Sequence, residues 1–452
     1  MSVKSRVGSW QLAAGSFGFS LGCAVVVVGI AGCSSDTPGT APRDATAGVG
    51  AGGTSSSGAG ASSVGGAGAP NPAEGGAMAV AGAAGAGGGP PGSLSGGFAG
   101  GPGSAGAPAV ASSLPGCALE FPYQDEPTRG TWLGGDSAYS TVLSPITALW
   151  SFQDTFVGNH GQTSRQGAGM IANSFAYVKC EAGKGSIEYF WRKSASSTQA
   201  IFFDDVPNTR FWPQQPIIYK GLLFAAMTRV QGGADEIGTT LARVSNPYDP
   251  PDQWQAQYFE LTTLPGLGKG TVVVDEYAYL FGSTANQAIV ARLPLDELSK
   301  PAAVPRDLMQ YLAVDGQWKP GLVASDAKKL GFAANVGTSF RYLKGANKWL
   351  VLFTNTAGWP SATISVSTAP ELTGPWTKPV NVYEVPEMTV GSPEYEQDNV
   401  CYAGIEHNES NPDPETHLLF SYTCNSFVLG KQLANMGIYL PKIVKLTNPV
   451  AN

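Results

Sequence analysis

Charge is what this chain has least of. Only 13% of its 452 residues are Asp, Glu, Lys or Arg, and 27 Lys plus Arg against 34 Asp plus Glu leave a formal net charge of −7. A nucleic-acid backbone needs clustered cations, so this composition argues against such a partner and suits a neutral polymer such as a glycan. Histidine is scarcer still, with three in the chain, and the six cysteines contain no Cys-x-x-Cys pair. Neither a zinc site nor a thioredoxin-like redox motif is therefore indicated. The acidic doublets Asp204-Asp205 and Asp235-Glu236 lack the spacing of a calcium loop and read as solvated loops. No metal site and no required cofactor follow; an incidental structural calcium at these doublets is the alternative, with no motif that calls for it. Long helical periods are also missing; residues 326–330 hold at most about one helical turn.

What the chain has instead is sorted by region. Lys4 and Arg6 precede an uncharged stretch whose apolar run, residues 24–30, leads into Ile30-Ala31-Gly32-Cys33. That ending resembles a bacterial lipobox, which implies a signal peptide over residues 1–32 and a mature chain lipidated on Cys33. A single membrane anchor over residues 12–30 is the competing reading, but its interior is rich in Gly and Ser. Ser34 and Ser35 follow the cysteine with no aspartate beside it, the pattern of outer-membrane or cell-surface sorting. Residues 33–116 are almost wholly Gly, Ala, Ser and Pro. Such a segment has no side chains to offset ordering entropy and is expected to be a disordered tether reaching about 50 Å.

Residues 117–452 hold nine of the ten tryptophans and form the folded part, enough for one large core and expected to be monomeric. Short apolar and β-branched runs bounded by Gly, Pro, Asn or Asp recur at 148–152, 174–178, 222–227, 271–274, 277–282, 289–292, 349–353 and 364–367. This rhythm fits an all-β, five-bladed β-propeller of about 67 residues per blade, with blades opening near Gly134, Gln215, Lys269, Asn335 and Asn399. A β-sandwich is the runner-up. Four cysteines remain in this region, and in an exported domain they suggest two disulfides with three pairings open. Hairpin-like runs at 401–404 and 418–424 favour Cys401–Cys424, leaving Cys117–Cys180.

The phrases Gly134-Gly135-Asp136-Ser137-Ala138-Tyr139-Ser140 and Leu149-Trp150-Ser151-Phe152-Gln153-Asp154-Thr155 resemble the opening of the five-bladed propellers catalogued as domain-of-unknown-function family 4185 and its relatives, which include bacterial endo-D-arabinanases. Phe211-Trp212-Pro213, Leu372-Thr373-Gly374-Pro375-Trp376 and residues 402–407 and 420–425 are similar to later blades, so the resemblance spans about residues 125 to 446. Gln153 departs from it, standing where many relatives have glycine. The resemblance implies that Asp136 and Asp154 are the catalytic acids of a glycoside hydrolase acting on a furanose-containing polysaccharide, arabinan-like and including D-arabinan.

The residues themselves support that pair. Asp136 follows two glycines that permit a tight turn, and Asp154 follows an aromatic strand. Glycosidic cleavage needs one carboxyl group to protonate the leaving oxygen and another to activate water or attack the sugar. Asp in Gly-Asp-Ser or Asp-Thr also serves as a turn cap, which is the competing use. His407 beside Glu406 is read as orienting sugar hydroxyls, against a histidine bonded in a turn. Trp212 after Arg210 is read as a stacking platform, against an aromatic filling a blade interface. Asn335, Arg341 and Asn425 are further hydroxyl-binding candidates. The alternative function is a non-catalytic glycan-binding or adhesion propeller.

Overall fold

The computed structural model describes residues 114, 116–117, 119–193, 197–203, 208–232, 235–333, 337–355 and 363–451. Cys33 with its signal segment, the tether apart from Leu114 and Gly116, Asp204, Asp205 and Asn335 lie outside the described residues; Leu114 is buried in the core of the folded part.

The described chain is nearly all β and propeller-like. The opening sheet is built on a long hairpin bent in its middle. Gly130–Gly135 and Tyr139–Ser144 run out, and Thr147–Phe152 and Thr155–Gly158 return. The bend divides it into two four-stranded parts: Ser174–Glu181 and Lys184–Phe190 extend the part formed by Tyr139–Ser144 and Thr147–Phe152, and Gln124–Glu126 and Gly169–Ile171 flank the other. The second sheet orders Thr209–Tyr219, Leu222–Gln231, Asp235–Val244 and Ala256–Thr262. A third begins at Gly270–Val274, a fourth at Thr338–Leu343 and the last at Asn399–Glu406. Pairing within every sheet is antiparallel, and these first strands pack beside one another in chain order. Tyr139 of the first sheet lies among Val400, Tyr402, Ala403 and Ile405 of the last. The two ends of the folded chain therefore meet beside the inner strands. Among the described residues the sheets follow one another side by side through their first strands rather than forming two facing layers.

Strand alternation explains that stacking. In Lys348–Asn355, Leu350 and Leu352 enter the cluster shared with Leu418 and Phe420, while Val351 and Phe353 enter the cluster shared with Phe281 and Val290. Successive side chains point to opposite faces, so a strand covered on both sides must be apolar at every position. That is why 349–353 and 222–227 read as unbroken apolar runs rather than alternating ones. Both expected disulfides are present, Cys117–Cys180 and Cys401–Cys424, the second joining directly paired residues of neighbouring strands.

Candidate active site

The bend in the first hairpin creates the site. Gly134 adopts φ +125°, and a Cβ there would lie 2.4 Å from the Tyr439 carbonyl oxygen, so only glycine fits. The strand then breaks over Asp136, Ser137 and Ala138, with Ser137 at φ 50°. Opposite, the return strand breaks over Gln153 and Asp154. Backbone bonds from Asp136 N to Asp154 O (3.3 Å) and from Gln153 N to Asp136 O (3.0 Å) hold the two breaks together. The aspartates thus sit on adjacent strands, as the sequence reading expects.

Both carboxyl groups are buried, and their partners differ. Oδ2 of Asp136 accepts hydrogen bonds from the hydroxyls of Tyr402 (2.7 Å) and Tyr439 (3.5 Å). Its Oδ1 is buried and has no hydrogen-bond partner among the described residues. Oδ1 of Asp154 accepts the indole N–H of Trp212 at 2.8 Å and lies 3.6 Å from Nη1 of Arg210. Burial pushes the Asp136 carboxyl up to about 8, and the nearby charge of Asp154 pushes in the same direction; the two phenols and Arg210 oppose it. Burial also raises Asp154, but Arg210 and the Trp212 indole pull it back. The surroundings therefore favour the proton on Asp136, which faces neutral phenols, while Asp154 is the member held against a cation and an indole.

Trp212 and Arg210 join this site, Arg210 lying 5.5 Å from the Trp212 ring and both belonging to the first strand of the second sheet. Trp212 spends its N–H on Asp154 and is 8% exposed. Glu236, expected in a solvated loop, is instead a mostly buried residue at the start of the strand Asp235–Val244. Its carboxylate pairs with Lys269 at 3.2 Å, with side chains only 17% and 14% exposed. Tyr139 connects that pair to the site: its hydroxyl donates to Gln214 Oε1 (2.7 Å) and to the Lys269 carbonyl (3.3 Å). Burial, then Asp136, then Glu236 raise its phenol. The long hairpin of the second sheet carries Glu236 inward, and its register is a tertiary property that a two-residue acidic doublet cannot reveal.

The remaining candidates gather further along the same strands. Arg341 Nε donates to Glu406 Oε1 at 2.8 Å, with both side chains at most 4% exposed. Arg341 also donates to the carbonyls of Pro414 and His417. His407 is fully buried, with Nδ1 2.6 Å from Ser140 Oγ and Nε2 2.8 Å from Ser421 Oγ, under the ring of Trp150. Burial holds its imidazole down at about 3, so it is neutral. Ser140 also donates to Glu409. Asn425 is buried, and its Oδ1 accepts from the Ser426 N–H. The structure thus brings Asp136, Asp154, Arg210 and Trp212 together, and buries the Arg341–Glu406 pair and the His407 ring each among partners of its own.

A family model described as "Domain of unknown function (DUF5005)" matches residues 123–448. The chain belongs to that family. The tie to family 4185 and its endo-D-arabinanases stays a resemblance. No curated protein matches the sequence. Among solved structures, the chain is similar to a "putative hydrolase" from Bacteroides ovatus ATCC 8483, with 16% identity, 70% of this chain and 86% of that chain covered, and a TM-score of 0.54. It is also similar to a GH43_1 enzyme from Xanthomonas citri (13% identity, 70% and 87% covered, TM-score 0.39). An exo-β-1,3-galactanase from Phanerochaete chrysosporium gives 11% identity, 72% and 66% covered, and a TM-score of 0.41. At such identities the likeness to the Bacteroides protein speaks for the fold alone, and the other two, below a TM-score of 0.5, carry no argument.

Proposed function

We propose that this protein is a glycoside hydrolase in which Asp136 is the general acid and Asp154 the second carboxylate. The observation that carries the reading is the asymmetry of the buried pair. Two carboxyl groups share one desolvated site: burial and the neighbouring charge of Asp154 favour the protonated form of Asp136, while Arg210 and the Trp212 indole hold Asp154 toward its charged form. The Asp136 oxygen that has no partner among the described residues is where a glycosidic oxygen would receive the proton. The sheets are read as five blades, each opening on one of the first strands described above. A furanose-containing polysaccharide, arabinan-like, is the proposed substrate through the resemblance of the opening phrases. Lipidation at Cys33 would present the enzyme at the outer membrane or cell surface on its tether.

A panel of arabinans, D-arabinan and other glycans incubated with the protein, with product release read by chromatography, tests the activity. Cleavage of a furanose polymer is expected, with loss of roughly 10²–10⁴-fold in turnover in Asp136→Asn and Asp154→Asn. No cleavage by the folded protein across the panel defeats the enzyme reading. One observation favours a second reading: Asp154 is already engaged by Trp212 and Arg210, as a purely structural carboxylate would be. A glycan-binding propeller would retain polymer affinity in both variants and show no turnover in any of them.

A further inference from the structure

Arg165 is fully buried and has no carboxylate among its hydrogen-bond partners. All five of its N–H donors are nonetheless matched by oxygens. Nε donates to the Leu133 carbonyl at 2.8 Å, and Nη1 donates to the carbonyls of Gln432 (3.1 Å) and Asn435 (3.0 Å). Nη2 donates to the Ile438 carbonyl at 2.6 Å and to the Tyr123 hydroxyl at 3.4 Å. The rings of Phe156, Tyr439 and Tyr123 surround the guanidinium at 5.5, 5.7 and 6.0 Å.

The partners of this cation are two chain segments that end at the candidate acid. Leu133 lies in Gly130–Gly135, the strand that delivers Asp136. Gln432 and Asn435 sit at the C-terminal end of the short helix Leu429–Ala434, where carbonyls lack intrahelical partners. Ile438 immediately precedes Tyr439, whose hydroxyl reaches Asp136 and whose N–H returns to the Cys424 carbonyl at 2.7 Å. The backbone contact at Gly134, 2.4 Å from the Tyr439 carbonyl and 3.0 Å from Arg165 Nη2 for an added Cβ, leaves no slack between the segments. A lysine ammonium offers three donors from one point and cannot span carbonyls on separate segments.

We propose that Arg165 is a positioning residue that fixes the Tyr439 hydroxyl on Asp136 by pinning both of their chain segments to one guanidinium. This rests on the reading of Asp136 as the acid. The groups facing Asp136 are the phenols of Tyr402, Tyr439 and Tyr139, the carboxylate of Asp154 and the guanidinium of Arg210. Arg165 is not among them, so it acts through geometry rather than through its field. A phenol donating to a carboxylate favours the ionised form, and loosening Tyr439 raises the pH at which Asp136 ionises.

The test is a carbon-13 titration of the Asp136 carboxyl in the full chain, which reads the site whether or not any glycan is cleaved. Tyr439→Phe is expected to move the titration upward by roughly half a unit. Arg165→Lys is expected to move it by a similar amount, and the double variant no further than either single one. Tyr123→Phe removes the one side-chain acceptor among the five partners and is expected to give a smaller shift in the same direction; it serves if Arg165→Lys does not fold. A wild-type titration in Arg165→Lys, or in Tyr123→Phe if it must stand in, overturns the proposal, as do additive shifts in the double variant. A glycan panel without cleavage removes the hydrolase reading and leaves this titration result standing.

Discussion

Tyr402 donates its hydroxyl to Oδ2 of Asp136 at 2.7 Å, across 266 residues of sequence. The bond joins the last sheet to the first where the first hairpin breaks, so the acid is completed only when the chain's two ends have met. Removing the hydroxyl takes away a donor that favours the carboxylate. Tyr402→Phe should therefore raise the Asp136 pKa from its value of about 8. Because the acid works while protonated, the basic limb of the pH profile of kcat/KM should move to higher pH. An unmoved basic limb with intact folding would mean that Asp136 is not the group that limits activity there.

Stability should slope with pH in two opposed ways. Asp136 is raised in the folded protein, so between its unfolded value near about 4 and about 8 the native state keeps a proton that the unfolded chain has lost. Stability from this group is full below the unfolded pKa and declines as pH rises toward about 8; Asp154, also raised, acts in the same direction. His407 does the reverse. Its imidazole stays neutral down to about 3, while the unfolded chain takes up a proton near about 6.5. Its contribution is therefore lost as pH falls through that interval. Thermal unfolding between pH 4 and 9 should show Asp136→Asn flattening the loss on the alkaline side. The acid-side loss should remain in that variant, and a parallel curve on both sides would contradict the assignment.

The part of this molecule that could be read in advance is the part governed by local pattern. The strands Gly270–Val274, Thr338–Leu343 and Asn399–Glu406 begin close to the expected Lys269, Asn335 and Asn399 because β-branched runs and turn residues mark strand ends directly, whereas Gln215 falls in the middle of Thr209–Tyr219, at a bulge that reads as a strand start. Asp136 and Asp154 could be paired because they flank one hairpin, and a hairpin's partners are close in sequence. Glu236, Tyr139, Tyr402 and Tyr439 could not, since their meeting depends on the register and stacking of separate sheets. Arg341, Glu406 and His407 show the converse. Their polar chemistry suggests sugar contacts, but burial turns it inward, and burial at an inner strand is not legible from residue type.

The disulfides should differ in the stability they confer. Cys117–Cys180 closes a separation of 63 residues and Cys401–Cys424 one of 23. Loop-closure entropy assigns them about 4.3 and about 3.4 kcal/mol. Replacing each pair with serine and measuring chemical unfolding should show both losses, the larger for the pair that ties residue 117 to the strand Ser174–Glu181. The reverse order would show that lost packing in the core around Cys401 and Cys424, both at most 1% exposed, outweighs chain entropy.

The Arg341–Glu406 pair offers a decision between structure and substrate. The two side chains are 4% and 2% exposed, 2.8 Å apart, and Oε2 of Glu406 is buried without a hydrogen-bond partner among the described residues. Removing the cation alone leaves a carboxylate in a site that cannot solvate it, and Arg341→Met should cost about 3–5 kcal/mol. Removing both charges with Arg341→Met and Glu406→Leu should recover much of that loss, because the desolvation cost disappears with the charges. Chemical unfolding of the two single variants and the double variant measures the coupling. A further variant, Glu406→Gln, reports on sugar binding. A structural pair predicts altered stability with an unchanged KM in Glu406→Gln, whereas a pair that holds sugar hydroxyls predicts a raised KM at unchanged stability. The burial of both side chains, with Arg341 also held by the Pro414 and His417 carbonyls, favours the first outcome.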